Sequence, residues 1–104
     1  MVGATVVKSA SAQRDFRRIY AWIALDGGPR RAERALRRLD KTIERLARRP
    51  LLGPLLTGVP GQPRGFSVRP WKIIYRPLPD GAGVLVLRIL DSRRDIAALL
   101  GQKS

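Results

Sequence analysis

A break of four residues, Asp26-Gly27-Gly28-Pro29, separates two stretches of the chain that both have helical periodicity. Glycine and proline end a helix, and proline is well tolerated in the first turn of the next one. The apolar positions of the first stretch are Ala12, Phe16, Ile19, Tyr20 and Ile23, and those of the second are Ala32, Ala35, Leu36, Leu39, Ile43, Leu46 and Ala47. Each set lies on one face of a helix. Because the link between them is so short, the two helices are expected to form an antiparallel hairpin, the second one over about residues 30–48.

The segments on either side of this hairpin have strand patterns. A β-branched run around Ala4–Lys8 predicts a first strand. Residues 48–63 contain four prolines and three glycines and predict a loop, after which RGFSVRP, WKIIYRPL and VLVLRIL are typical of three further strands. The order β-α-α-β-β-β predicts an α+β fold in a single domain over residues 1–104. In this fold an antiparallel sheet packs on the N-terminal helical hairpin, and a short C-terminal helix or tail follows.

Alternation along the last two strands predicts which side chains face the helices. The residues expected on the helix-facing side are Trp71, Ile73, Tyr75, Leu85, Leu87 and Ile89, while Phe66 and Trp22 are expected to pack in the core or within the hairpin. The residues expected on the opposite side are Lys72, Ile74, Arg76, Val84, Val86, Arg88 and Leu90. That side is half apolar and half basic, and the rest of the chain offers nothing to cover it. A patch of this kind predicts an interaction surface.

The charge of the chain is strongly basic. Twenty-one basic residues stand against eight acidic ones, which gives a net charge of +13 and favours nucleic acid, an acidic protein or an anionic membrane as a partner. An arginine excess, here seventeen Arg to four Lys, also arises from the codon usage of a GC-rich genome. The chain contains neither cysteine nor histidine, so no disulfide, no metal site and no cofactor is predicted. No apolar run approaches the roughly 18–20 residues of a membrane helix, so a cytoplasmic protein with no membrane partner is expected.

The last strand runs directly into Asp91-Ser92-Arg93-Arg94-Asp95. Two adjacent guanidinium groups can bind phosphate or carboxylate in a bidentate manner, although one of them can instead pair with Asp95. Arg93 and Arg94 are therefore predicted to bind the target of the protein. Arg64 and Arg69, which are strand or strand-edge arginines, are predicted to bind it as well. Arg88 interrupts the apolar strand, and burying it without a partner would be costly. It must reach the open face, an acidic partner or an internal carboxylate.

Four segments of the chain resemble the RelE/ParE superfamily of bacterial toxin–antitoxin toxins. They are AQRDFRRIYAWI, IERLARRPLLG, RGFSVRPWKIIYR and VLRILDSRRDIAAL, and the chain looks most like the ParE branch. The resemblance implies a toxin that a cognate acidic, partly disordered antitoxin neutralises in a hetero-oligomer. The antitoxin is expected on the uncovered sheet face, at Lys72, Ile74, Arg76, Val86, Arg88 and Leu90.

The two branches of the superfamily differ in their targets. ParE-like toxins poison DNA gyrase without catalysis, whereas RelE-like toxins cut messenger RNA on the ribosome. For RNA cleavage the resemblance implies Lys72 and Arg93 at two basic positions of the family, but the family's C-terminal tyrosine position falls on Leu99. Tyr75 is the only nearby candidate for proton transfer, and it is expected in the core. We therefore expect a non-catalytic gyrase inhibitor that meets nucleic acid through its target complex. A RelE-like mRNA endoribonuclease is the alternative, and a nucleic-acid binder driven by charge alone is a lesser one.

Overall fold

A computed structural model describes residues 3–92 and 99–100. Its elements are β1 (Thr5–Lys8), α1 (Ala10–Gly27), α2 (Pro29–Arg48), β2 (Arg64–Val68), β3 (Trp71–Pro77) and β4 (Gly83–Asp91), with a single 3₁₀ turn at Pro79–Gly81 between the last two strands. The predicted order of elements and the α+β class are confirmed. Within the described residues, no helix is long and apolar enough to cross a membrane.

The four strands form one sheet in the order β1-β4-β3-β2. The strands β2, β3 and β4 are antiparallel neighbours, as predicted. The first strand departs from the expected antiparallel pattern because it pairs with β4 in parallel. Parallel neighbours need a long connection, and here the helical hairpin, the loop and two strands supply it.

The helical hairpin begins and turns at residues suited to those tasks. The hydroxyl of Ser9 accepts a hydrogen bond from the backbone N–H of Ala12 at 2.9 Å, which caps the first turn of α1. Gly28 joins the helices with a φ of 87°, a conformation that glycine adopts at little cost, and Pro29 occupies the first turn of α2. The hairpin packs on the sheet around a core of Ala12, Phe16, Leu39, Ile43, Leu46, Ala47, Trp71, Ile73, Tyr75, Val84, Val86 and Ile89.

A bulge in β4 reverses the expected alternation along part of that strand. Ile74 pairs with Arg88, but the next residue, Tyr75, pairs with Val86, so β4 contains one extra residue. A shift of one residue moves every following side chain to the other face of a sheet. The prediction that Val84 and Val86 lie opposite the helices is therefore wrong, since both belong to the core and are fully buried. Leu85, expected in the core, pairs instead with Arg76 on the other face.

The proline-rich segment between α2 and β2 covers part of the sheet face that points away from the helices. Ile74 is fully buried although it lies outside the helix-facing core. Gly65 pairs with Ile74, and a Cβ placed on Gly65 would lie 3.1 Å from the side chain of Leu56. The backbone N–H of Gly65 donates to the carbonyl of Pro54 at 3.0 Å, which fastens the segment to β2. The prediction that nothing in the chain covers this face is therefore wrong.

Candidate partner-binding site

A buried carboxylate on α1 occupies the place where the sheet loses its edge strand. The strand β1 ends at Lys8, opposite Val86, so the following residues of β4 pair with β3 on one side and have no neighbouring strand on the other. Asp15, which is 2% exposed, accepts a hydrogen bond from the backbone N–H of Ile89 at 2.9 Å. The start of α1 thus replaces β1 as the partner of β4.

The same carboxylate holds Arg88. The Nε atom of Arg88 lies 2.7 Å from Asp15 Oδ2, and its Nη2 lies 3.2 Å from Oδ1. The hydrogen bond to Asp15 raises the pKa of Arg88, against the lowering effect of burial. The sequence left three possible surroundings for Arg88, namely the open face, an acidic partner or an internal carboxylate. In the structure Arg88 binds an internal carboxylate, that of Asp15. The contact predicted between Arg88 and an antitoxin stays a prediction. Two nitrogen atoms of the Arg88 guanidinium are already hydrogen-bonded to Asp15.

Sequence reasoning missed Asp15. The available signal was indirect: Arg88 needed a carboxylate, and Asp15 stands among basic and apolar residues near the start of α1. Only the fold brings these two positions together, because they are 73 residues apart along the chain.

Tyr75 is in the core, as predicted, and both hydrogen-bonding functions of its hydroxyl are used there. The hydroxyl donates to the carbonyl of Pro50 at 2.8 Å and accepts from the backbone N–H of Gly53 at 2.9 Å. Burial raises the pKa of Tyr75, although the Gly53 hydrogen bond and the positive charge of Arg64 act in the lowering direction. This tyrosine fastens the segment after α2 to the sheet.

The residues predicted for RNA cleavage do not come together among those described. Lys72 is three residues from Tyr75 on β3, so their side chains lie on opposite faces of the sheet. Leu99, at the family's tyrosine position, lines a cavity of about 190 Å³ beside Trp71 and Ile89. Arg93 and Arg94, named for catalysis or target binding, lie outside the described residues.

The other predicted target-binding arginines have different surroundings. Arg64 is half-buried and donates to the carbonyl oxygens of Gly53 at 2.7 Å and Leu51 at 3.3 Å, so its guanidinium holds the loop. Arg69 is exposed at the end of β2, and its backbone carbonyl accepts a hydrogen bond from Arg38. Only Arg69 of this pair presents its side chain to solvent.

The predicted antitoxin-binding surface is much smaller than expected. Lys72, Ile74, Arg76 and Leu90 do lie on the sheet face away from the helices. Ile74 is fully buried and Leu90 is 8% exposed, so neither offers a sizeable apolar contact. Val86 is in the core and cannot contact a partner without unfolding of the sheet. Of Lys72, Ile74, Arg76 and Leu90, the two cations are the ones that remain accessible.

Among the described residues, the two most exposed large apolar side chains lie on the helical hairpin. Trp22 is 73% exposed and Leu25 is 88% exposed near the end of α1, so the expectation that Trp22 packs within the hairpin is wrong. On a different flank of α1, Phe16 and Tyr20 line an open groove of about 410 Å³ together with Leu36 of α2. Exposed large apolar side chains such as Trp22 and Leu25 are candidates for contact with a partner protein.

Comparisons with known proteins agree with this architecture. A family model described as "ParE toxin of type II toxin-antitoxin system, parDE" matches residues 6–96. Toxin ParE3 of Caulobacter vibrioides is 33% identical over 99 residues, which cover 95% of this chain and 97% of that protein. A solved structure of the chromosomal ParDE toxin–antitoxin system from P. aeruginosa superposes with a TM-score of 0.70 at 21% identity, over 85% of this chain and 95% of that one. The chain belongs to the ParE toxin family of type II toxin–antitoxin systems.

Proposed function

We propose that this type II toxin acts in the cytoplasm as a non-catalytic poison of DNA gyrase and that a cognate acidic antitoxin neutralises it in a hetero-oligomer. The observation that carries the choice of target over RNA cleavage is the use of Tyr75. Its phenol is committed to two backbone groups, Pro50 and Gly53, and is fully buried. A group in that position has no route to a 2′-hydroxyl of RNA.

The chemistry of RNA cleavage supports the same choice. Cleavage by 2′-hydroxyl attack needs one group to remove a proton and another to protonate the leaving oxygen. The chain has no histidine, and Lys72 lies across the sheet from Tyr75. Cations that could stabilise a phosphorane are plentiful, but Lys72 and Tyr75, the predicted cleavage residues that the structure describes, do not form a neighbouring pair for proton transfer.

The exposed apolar residues support an antitoxin on the helical hairpin. An acidic segment that wraps around α1 would place apolar side chains against Trp22 and Leu25 and, on the other flank of the helix, in the groove beside Tyr20. Its carboxylates would meet nearby cations such as Arg18, which is 71% exposed. Lys72 and Arg76 on the sheet offer a second, electrostatic contact for the remainder of such a segment.

The target is tested with two purified systems. The toxin is incubated with gyrase, ATP and supercoiled plasmid, and separately with translating ribosomes and a defined messenger RNA. We expect linear DNA to accumulate after protein denaturation in the first system and the messenger RNA to stay intact in the second. Addition of the antitoxin should abolish the linear product. Codon-positioned cuts in the messenger RNA, without linear plasmid, would contradict the proposal.

A further inference from the structure

The charged residues of α2 are sorted by sign around the helix. Successive residues of an α-helix are about 100° apart, which places every basic residue of α2 within a sector of about 120°. These residues are Arg30, Arg31, Arg34, Arg37, Arg38, Lys41, Arg45 and Arg48. The acidic residues Glu33, Asp40 and Glu44 lie together in the neighbouring sector, about 40° wide. The basic sector, called here the α2 cationic face, contains no apolar or acidic residue.

Contacts with the sheet agree with this sorting. On the acidic side, Asp40 pairs with Lys8 of β1 at 3.1 Å. On the basic side, the guanidinium of Arg38 donates to the carbonyl of Arg69 at 2.8 Å, and that of Arg45 lies 5.5 Å from the centre of the Phe66 ring. The α2 cationic face therefore borders β2, where the exposed Arg69 extends it.

The cations of this face have no carboxylate partner in the described part of the chain. The ion pairs there join Lys8 to Asp40 and both Arg18 and Arg88 to Asp15. Cations repel one another at the i,i+4 spacing, as at Arg34 and Arg38, by a few tenths of a kcal/mol per pair. A bound polyanion would relieve this repulsion.

We infer that the α2 cationic face binds the phosphate backbone of double-stranded DNA. The guanidinium group matches phosphate in a bidentate manner, and all but one of the cations are arginines. The face has no apolar anchor for an acidic protein segment, whereas the apolar residues of the hairpin lie outside it. From residue 30 to residue 48 the straight helix spans about 27 Å, or about eight base-pair rises of a rigid duplex.

Binding of this kind should be insensitive to sequence, because phosphate contacts do not read bases. The DNA-binding inference does not depend on gyrase being the target. The experiment measures binding to free DNA, and a toxin with another target would have the same α2 cationic face. Failure of one proposal therefore leaves the other intact.

The test compares two double variants of equal charge. Arg34→Gln with Lys41→Gln changes the face, while Arg14→Gln with Arg17→Gln changes exposed arginines of α1, and each lowers the net charge from +13 to +11 (13 − 2). Anisotropy of two labelled duplexes of unrelated sequence is measured between about 50 and 200 mM salt. The α2 variant should bind both duplexes roughly tenfold more weakly, with a log–log salt slope shallower by about 2, while the α1 variant should keep a slope close to that of the parent.

Three results would overturn the inference. Equal losses in the two double variants would mean that the total charge, and not this face, attracts DNA. Tighter binding of poly-glutamate than of duplex, with the same dependence on Arg34 and Lys41, would assign the face to an acidic polypeptide. Tighter binding of single-stranded DNA than of the duplex would contradict the proposed fit between the straight helix α2 and a rigid double helix. Circular dichroism of each variant establishes that it is folded before its binding is compared.

Discussion

At the scale of single residues, Asp15 joins the first half of α1 to β4. Its carboxylate accepts hydrogen bonds from Arg18, Arg88 and the backbone of Ile89 while it is almost completely buried. A buried charge is tolerated only where it is paired and hydrogen-bonded. Asp15 therefore has a structural role in joining α1 to the unpaired edge of β4.

Replacement of Asp15 by Asn should destabilise the protein. The amide would leave the half-buried guanidinium of Arg88 without a compensating charge, and we expect the free energy of unfolding to fall by roughly 2–4 kcal/mol. Urea denaturation followed by circular dichroism measures the change. The control Arg18→Gln removes an ion pair whose arginine is 71% exposed and should cost less than about 1 kcal/mol. Equal effects of the two changes would mean that the Arg88 pair is not the important one.

The substitution Tyr75→Phe distinguishes a structural role of Tyr75 from a catalytic role. The change leaves the N–H of Gly53 and the carbonyl of Pro50 without their partner, so stability should fall by about 1–3 kcal/mol at neutral pH. Gyrase poisoning by the folded fraction should persist. Loss of toxicity in a variant that remains folded would return Tyr75 to the catalytic candidates.

The pKa of Tyr75 gives the same variant a second signature. Because burial raises this pKa in the folded state above its ordinary 10.0, the folded protein holds the phenolic proton more tightly than the unfolded chain. The stabilisation is therefore fully present below pH 10 and is lost as the pH rises through the folded pKa. Urea denaturation series above pH 10 should show a decline in stability that is reduced in Tyr75→Phe.

At the scale of elements, the bulge in β4 and the loop after α2 decide which surfaces are open. The bulge turns Val84 and Val86 into the core, and the loop buries Ile74 on the opposite face. The sheet consequently keeps cations but little apolar area for a partner. The end of α1, where Trp22 and Leu25 are exposed, becomes the better candidate for antitoxin contact.

A substitution at the end of α1 tests this placement. Leu25→Asp introduces a charge at a position that is 88% exposed, so the fold should be unaffected, while affinity for the antitoxin should fall roughly tenfold or more because a carboxylate would replace an apolar contact. Calorimetric titration with the antitoxin measures the change. Leu51→Asp is the matched control, since Leu51 is 68% exposed but follows α2. If the two variants lose affinity equally, the antitoxin is not localised on α1.

At the scale of the whole molecule, the net charge of +13 is divided into regions with different uses. Arg88 and Arg64 are tied to internal oxygens, and Arg38 reaches across to β2. The remaining cations of α2 are concentrated on one side of that helix. The contact proposed for the antitoxin on α1 and the contact proposed for DNA on the α2 cationic face thus use different residues.

Local patterns in the sequence were enough to predict the helices, the strands and their order. Helical periodicity, the Gly28-Pro29 break and β-branched runs are patterns of a few neighbouring residues, so they can be recognised without knowledge of the fold. The same holds for the burial of Tyr75, which follows from alternation along its strand, and for the need of Arg88 for a partner, which follows from the cost of burying a charge.

Tertiary structure alone decided the direction of β1, the face of Val86 and the identity of the Arg88 partner. The direction of a strand leaves no mark in its side-chain pattern, and a bulge of one residue shifts the pairing without altering the apolar run that contains it. Asp15 meets Arg88 only after the whole chain has returned to place β4 beside the start of α1. The sequence alone thus determined which segments are regular and which groups need partners, while the long-range packing of the chain determined what those partners are and which surfaces stay open.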